Sequence, residues 1–157
     1  MSRQPDWRHQ FTVDGVTTPL RVWSEQTGRG YPISAPGLIF AEDEAVAPDL
    51  VWISAERFSR VAGPGPHLHS APDLVVEVLS PGTENQRRDR ELKLKLYSRR
   101  GVLEYWMLDR QDRAIEVYRR EGGALRLVAT LRGGDMLESP LLPGFSCAVD
   151  DLFAAPG

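Results

Sequence analysis

The chain has 157 residues, of which 41% are apolar and 26% charged, with a formal net charge of −3. These values are ordinary for one globular domain, and no apolar run approaches the roughly 20 residues that would span a bilayer. The first six residues lack the apolar stretch of a signal peptide, and the single cysteine, Cys147, cannot form an internal disulfide. We therefore expect a cytoplasmic protein without a membrane anchor.

The first 37 residues are weakly patterned, and the sequence predicts short strands and loops there. Residues 10–13 and 20–24 have the composition of short strands, with Asp14-Gly15 as a turn between them. Residues 28–37 contain three glycines and two prolines, which favours a loop.

The next segment contains short apolar runs separated by turns. Residues 38–40 form one such run, and residues 49–53 predict a buried strand. Residues 55–61 predict a short helical turn before a loop that is rich in glycine and proline.

The clearest pattern is a strand, a helix and a second strand. Residues 73–79 are nearly all apolar, as in a strand that is covered on both faces. Residues 80–83 end this strand, and a helix is predicted over residues 84–100, with Gly101 after its last turn. Residues 103–109 then predict a second strand. A connection of this length between two strands indicates a parallel pair with a helical crossover.

The remaining residues predict an antiparallel hairpin and a short ending. Residues 114–119 and 125–131 flank a glycine turn, which favours a hairpin at the sheet edge. A last strand is predicted near residues 145–149, followed by a helical turn over residues 149–153. Together the elements predict an α/β fold with a mixed sheet, flanking helices and an added antiparallel hairpin.

Two carboxylates lie where the pattern calls for apolar residues. Glu77 shares one face of its strand with Asp73, Val75 and Leu79. A buried charge is costly unless it is paired or binds a metal. Asp49, like Asp73, follows a proline and opens an apolar strand. If the two strands are neighbours, Asp49 and Glu77 converge and suit a hard cation such as Mg²⁺. A turn or strand-start cap is the alternative for Asp49.

The predicted helix carries a lysine on its apolar side. Its core-facing stripe, at spacings of three and four residues, consists of Asp89, Leu92, Lys93, Leu96, Tyr97 and Arg100. The chain has only two lysines, so Lys93 is not a default surface residue. Its ammonium either approaches the face of Glu77, or its stem lies along the core while the charge reaches solvent.

The same helix is strongly basic. From Arg87 to Arg100 there are seven basic and two acidic residues, which is typical of a solvated face or of a phosphate-binding patch. Arg87, Arg88 and Arg90 are the candidate phosphate contacts, because the positive end of the helix dipole also attracts anions.

This ordered set of residues resembles a known family. The pattern resembles the Uma-type restriction endonuclease family, a member of the PD-(D/E)XK nuclease superfamily. The residues that carry the resemblance are Asp49, the segment Pro72–Pro81, and then Asp89, Lys93 and Tyr97. The resemblance runs from about residue 46 to residue 153. It implies a restriction-endonuclease-like α/β core and cleavage of DNA that depends on Mg²⁺ or Mn²⁺.

The resemblance also implies roles for individual residues. Asp49 matches the metal-binding aspartate of the superfamily, and Glu77 matches the acidic residue of its (D/E)XK element. Leu79 occupies the usual position of the lysine in that element, so the strict motif is broken. Lys93 matches a helix lysine that takes over in this family. The candidate supporting residues are Asp73, Asp89 and Tyr97.

The N-terminal segment departs from the family pattern. Family members usually begin with a longer helical region that carries an acidic residue near the site, whereas residues 1–37 match poorly and look short. We expect a single domain over residues 1–157 that acts as a metal-dependent DNA endonuclease, and a homodimer, because superfamily enzymes that cut both strands commonly dimerise. A catalytically inactive binding or assembly module of the same fold is the alternative, and a different phosphoesterase is a third reading.

Overall fold

A mixed six-stranded sheet lies between two helical layers in the computed structural model, which describes residues 6–79 and 84–154. The helices are α1 (Trp7–Thr27), α2 (Phe58–Ala62), α3 (Glu84–Arg100) and α4 (Val149–Phe153). The strands are β1 (Gly30–Ser34), β2 (Leu38–Ala41), β3 (Glu44–Val46), β4 (Leu50–Ser54), β5 (Leu74–Leu79), β6 (Glu104–Asp109), β7 (Ala114–Glu121), β8 (Ala124–Leu131), β9 (Met136–Leu137) and β10 (Cys147–Ala148).

The strand order in the large sheet is β1-β4-β5-β6-β7-β8. β5 and β6 are parallel and α3 connects them, while every other neighbouring pair in this sheet is antiparallel. The predicted crossover unit and the predicted edge hairpin, β7–β8, are thereby confirmed. Two small antiparallel pairs, β2–β3 and β9–β10, lie outside the large sheet.

The alternation of side chains along β5 divides the core into two layers. Val76 and Val78 belong to the apolar cluster that α1 and α4 cover. Val75 and Leu79 belong to the opposite cluster, which includes Tyr97 of α3. Because both faces of β5 are covered, every position of this strand is buried, as its nearly continuous apolar sequence predicts.

The N-terminal predictions were wrong. The two strands predicted over residues 10–13 and 20–24, and the turn at Asp14-Gly15, all lie within the single helix α1. The loop predicted over residues 28–37 contains β1, which pairs along its whole length with β4.

Burial explains why α1 forms despite residues with poor helix propensity. Val13, Val16, Leu20 and Trp23 follow one another at steps of three and four residues, and all four are buried against the sheet. This packing outweighs the unfavourable contributions of the glycine, proline and threonines in the same helix. Gly15 has a packing reason, because a Cβ there would come within 3.3 Å of Leu152 Cδ2 in α4.

The edge position explains why β1 tolerates residues typical of loops. Pro32 has no N–H for a ladder, which matters little on the outermost strand of a sheet. Gly30 is required by the close approach of Trp52, since a Cβ at this position would collide with the indole ring.

The predicted end of the strand at residues 80–83 lies outside the described residues. Among the helices within residues 6–79 and 84–154, none combines the length and the apolar character that crossing a membrane requires.

Candidate active site

Two carboxylates meet across the β4–β5 pair. The antiparallel register pairs Leu50 with Val76, so Asp49, just before β4, lies opposite Glu77. The Asp49 N–H donates to Glu77 Oε1 (3.2 Å), and the Val78 N–H donates to Asp49 Oδ2 (2.8 Å). Each carboxylate is therefore bound to the backbone of the neighbouring strand, and the expected convergence of Asp49 and Glu77 is observed.

Helix α3 supplies a cation and a phenol to Glu77. The Glu77 side chain is only 4% exposed, and Lys93 Nζ lies 3.3 Å from its Oε2. The Tyr97 hydroxyl donates to the same oxygen at 2.9 Å. Asp89 Oδ2 lies 3.6 Å from Lys93 Nζ on the outer side. Of the two placements left open for Lys93, the structure shows the ammonium at the face of Glu77.

A sixth group, His9, was not predicted from the sequence. Its Nε2 lies 3.2 Å from Asp49 Oδ2, and its Nδ1 lies 2.8 Å from Gln10 Oε1. The signal was present in the sequence, because His9 is four residues before Val13 and so extends the buried stripe of α1. It went unnoticed because the segment was assigned to strands.

The carboxylates have opposite pKa shifts. Burial alone would raise the pKa of Asp49, but the hydrogen bonds from His9 and from the Val78 N–H outweigh it, and the pKa is lowered. Burial raises the pKa of Glu77 above its usual value, against the attraction of the Lys93 charge. The pair therefore consists of one readily ionised carboxylate and one that holds a proton more strongly.

The pKa values of the three surrounding groups, His9, Lys93 and Tyr97, are all raised. The hydrogen bond to Asp49 is the main reason that the pKa of His9 is raised. Burial would lower the pKa of Lys93, but the charges of Glu77 and Asp89 outweigh it and the pKa is raised. Burial raises the pKa of Tyr97, so its hydroxyl remains a donor. Lys93 thus places a positive charge beside the carboxylates, and His9 adds a second one when it is protonated.

Asp73 is not part of this cluster, which corrects its assignment as a supporting residue. It precedes β5 at the end opposite Glu77. Its Oδ1 accepts from the Ser54 N–H at 2.8 Å, and its Oδ2 lies 3.3 Å from Arg57 Nη1. The carboxylate of Asp73 therefore fastens β4 and the turn after it to the start of β5.

The three arginines at the start of α3 differ in their surroundings. Arg90 is paired with Glu116 of β7 by a charged hydrogen bond. Arg87 and Arg88 are exposed. Arg87 and Arg90 also line a cleft of about 430 Å³ between α3 and strands β6 and β7. Arg87 and Arg88 keep the placement expected of phosphate contacts, whereas Arg90 already has a carboxylate partner.

The donor set suits a hard divalent cation that keeps most of its water. Asp49 and Glu77 supply oxygen ligands, and among the described residues Asp49 Oδ1 accepts no hydrogen bond. Within the described ranges, no group of three or more His, Cys, Asp or Glu side chains is arranged to hold a metal. Mg²⁺ is commonly bound through only one or two carboxylates plus water, so the residues present fit it.

Comparison with known families decides the assignment. Residues 1–150 match the model of the Uma2 family, which is described as "Putative restriction endonuclease". The chain belongs to the Uma2 family. The resemblance noted in the sequence is confirmed, and the match begins at residue 1, so it includes the helix α1 that carries His9. No curated protein matches this Uma2 chain.

A solved structure has the same fold. It is the crystal structure of "a putative nuclease belonging to DUF820" from Anabaena variabilis ATCC 29413. The similarity has a TM-score of 0.75 at 16% sequence identity and covers 98% of this chain and 84% of the other. The predicted fold class, a mixed sheet flanked by helices in a nuclease-like core, is confirmed.

Proposed function

We propose that this Uma2 protein is an endonuclease that hydrolyses DNA phosphodiester bonds with Mg²⁺ or Mn²⁺, through a site of the PD-(D/E)XK type. The observation that carries the proposal is the convergence of Asp49, Glu77 and Lys93, which come from three separate segments of the chain. Membership of a family described as restriction endonucleases supports the same reaction class.

Asp49 and Glu77 are the residues that would hold the cation. When bound, the cation would supply Lewis acidity, which lowers the pKa of a water molecule and offsets charge on the phosphate. Lys93 lies close enough to the carboxylates to orient the attacking water or to stabilise negative charge in the transition state. Tyr97 holds Glu77 Oε2 in place by its hydrogen bond.

In this proposal, Lys93 supplies the ammonium group that the lysine of the (D/E)XK motif would otherwise provide. Leu79, at the usual position of the motif lysine, is buried in the apolar layer beneath α3. Lys93 brings an ammonium to the same carboxylate from the helix instead of from the strand, and its side chain remains 33% exposed. The charge is therefore available without a lysine in β5.

DNA is the proposed substrate, and a homodimer is the proposed assembly for cutting both strands. Arg87 and Arg88 are exposed on the first turns of α3, on the helix that carries Lys93. They support contacts to the phosphate backbone, which would weaken steeply as salt concentration rises. The net charge of −3 makes such a local basic segment necessary for binding a polyanion.

A plasmid-nicking assay with Mg²⁺ or Mn²⁺ tests the proposal. Wild type should nick the plasmid, and EDTA, Glu77→Gln and Lys93→Ala should each abolish nicking. Lys95→Ala is the matched control, since this exposed lysine is on the same helix and should leave activity unchanged.

Other outcomes assign the protein differently. In one of them, folded wild type cleaves none of plasmid, linear and single-stranded DNA, yet binds DNA in a way that depends on salt and is unchanged by EDTA. That combination would establish the inactive binding module instead. Cleavage that survives in Glu77→Gln and Lys93→Ala would place the catalytic centre elsewhere.

A further inference from the structure

We propose that His9 is a positioning residue that fixes the orientation of the Asp49 carboxylate for metal binding. This inference rests on the proposed function, because it concerns the same cation site. His9 lies on α1, far in sequence from the motif residues, and neither its type nor its place is part of the pattern that identified the site.

The contacts of the imidazole define its role. Nδ1 lies 2.8 Å from Gln10 Oε1, and Nε2 lies 3.2 Å from Asp49 Oδ2. The carboxylate oxygen is an acceptor, so Nε2 carries a hydrogen and donates it to Asp49 Oδ2. A nitrogen that donates in this way has no lone pair for a cation. Through Nε2, His9 therefore acts on the carboxylate.

These contacts give the two carboxylate oxygens of Asp49 different roles. Oδ2 is held by two donors, His9 Nε2 and the Val78 N–H. Oδ1 accepts from none of the described residues and is the oxygen that remains for a cation. Hydrogen bonds to ligating carboxylates orient them, and removal of such a partner typically lowers metal affinity by about 10- to 100-fold.

The placement of His9 is itself fixed by the core. Val13 and Val16, one and two turns further along α1, are buried in the cluster beneath the helix. The His9 side chain is only 15% exposed, so the ring has little freedom to leave Asp49. A purely structural role, in which His9 merely ties α1 to the sheet, would use the same contact, and the experiment has to separate the two.

Direct measurement of Mn²⁺ affinity separates them. Calorimetric titration would compare wild type with three variants: His9→Ala, His9→Gln, whose amide can donate from the position of Nε2, and His69→Ala. His69 is an exposed histidine that precedes β5 at the end opposite Glu77. We expect His9→Ala to weaken Mn²⁺ binding about 10- to 100-fold. His9→Gln should recover most of the affinity, and His69→Ala should equal wild type.

Three results would overturn the inference. One is a lower melting temperature of His9→Ala with unchanged Mn²⁺ affinity, which would show a structural tie. Another is tighter binding by His9→Ala, which would show that His9 competes with the metal for Asp49. The third is no Mn²⁺ binding by wild type. If the protein cuts no DNA but its Mn²⁺ affinity still depends on His9, this inference holds and the proposed endonuclease activity is rejected.

Discussion

Lys93 and Lys95 are the only lysines of the chain, and they differ in what their ammonium groups contact. Lys93 lies 3.3 Å from the buried Glu77, while Lys95 is exposed on the opposite side of α3. We expect Lys93→Met to lower the free energy of unfolding by about 1–2 kcal/mol, because it leaves a buried carboxylate without its cation. The figure is below that for a fully buried pair, because a third of the Lys93 side chain is exposed.

Urea unfolding at pH 7 in EDTA measures this difference, with Lys95→Met as the control that should stay within about 0.5 kcal/mol of wild type. The Lys93→Met change should also cost less in a Glu77→Gln background, because the charge that needs compensation is gone. Equal losses for the two lysine variants would show that Lys93 contributes no specific pairing.

The raised pKa of His9 predicts a pH-dependent contribution to stability. A histidine with a folded-state pKa above 6.5 binds its proton more tightly in the folded protein, so its contribution is complete below pH 6.5 and is lost as pH rises through the folded-state pKa. The difference in unfolding free energy between wild type and His9→Ala should therefore shrink as pH rises above 6.5. Asp49, with its lowered pKa, stays ionised throughout this range.

Unfolding of both proteins in EDTA from pH 5.5 to pH 9 would test this expectation. His9→Gln is the matched variant, since a glutamine cannot titrate and should show a constant offset from His9→Ala. A difference between wild type and His9→Ala that stays flat across the range would mean that folding leaves the pKa of His9 unchanged, and a difference that grows with pH would mean that folding lowers it.

At the scale of elements, a helix or strand was predicted correctly where its own residues contain the pattern that determines it. The bounds of β5 and α3 were predicted almost to the residue, because a strand covered on both faces is a nearly continuous apolar run and residues that favour turns bound the helix. The predicted core-facing stripe of α3 was wrong at Leu92, which is 56% exposed, whereas Leu94 packs against the core. α1 has an equally regular buried stripe, but Gly15 and Pro19 interrupt it with residues that favour turns. The packing that overrides those residues comes from the sheet and from α4, which local propensity does not contain.

The same distinction applies to the candidate site. The approach of Lys93 to Glu77 follows from helix and strand periodicity, and the pairing of Asp49 with Glu77 needed only that β4 and β5 be neighbours. His9 was not placed, because the strands predicted over residues 10–13 and 20–24 concealed the buried stripe of α1 that it extends. Asp73 was misplaced for the opposite reason: it shares the face of Glu77, but lies at the other end of β5.

The buried stripe of α1 can be tested with a pair of variants on one helix. Leu20 is fully buried and Val22 is 49% exposed. Leu20→Ala should cost about 2–5 kcal/mol, because it removes buried methyl groups and leaves a cavity between α1 and the sheet. Val22→Ala should change stability by less than about 0.5 kcal/mol. Thermal or urea unfolding followed by circular dichroism gives both values, and similar costs would contradict the helical stripe.

On the scale of the whole molecule, the candidate site lies where three parts of the fold meet. Asp49 and Glu77 come from the sheet, His9 from the helical layer on one face and Lys93 from the layer on the other. A cation held by the two carboxylates would bind the folded chain and not the unfolded one. Metal binding should therefore be measurable as stability of the entire domain, independently of cleavage.

We accordingly expect Mn²⁺ or Mg²⁺ to raise the melting temperature of wild type. At a free metal concentration of about 100 times Kd, the stabilisation is about 2.7 kcal/mol, which corresponds to a shift of roughly 5–10 °C for a domain of this size. Glu77→Gln should lose most of the shift, whatever its own melting temperature, because the substitution removes a carboxylate proposed to bind the cation and keeps the size of the side chain. Thermal scans with and without metal give the shift for each protein. Equal shifts in wild type and Glu77→Gln would show that the cation binds elsewhere. A shift that is lost in Glu77→Gln but kept in Lys93→Ala would separate metal binding from the catalytic role that we propose for the lysine.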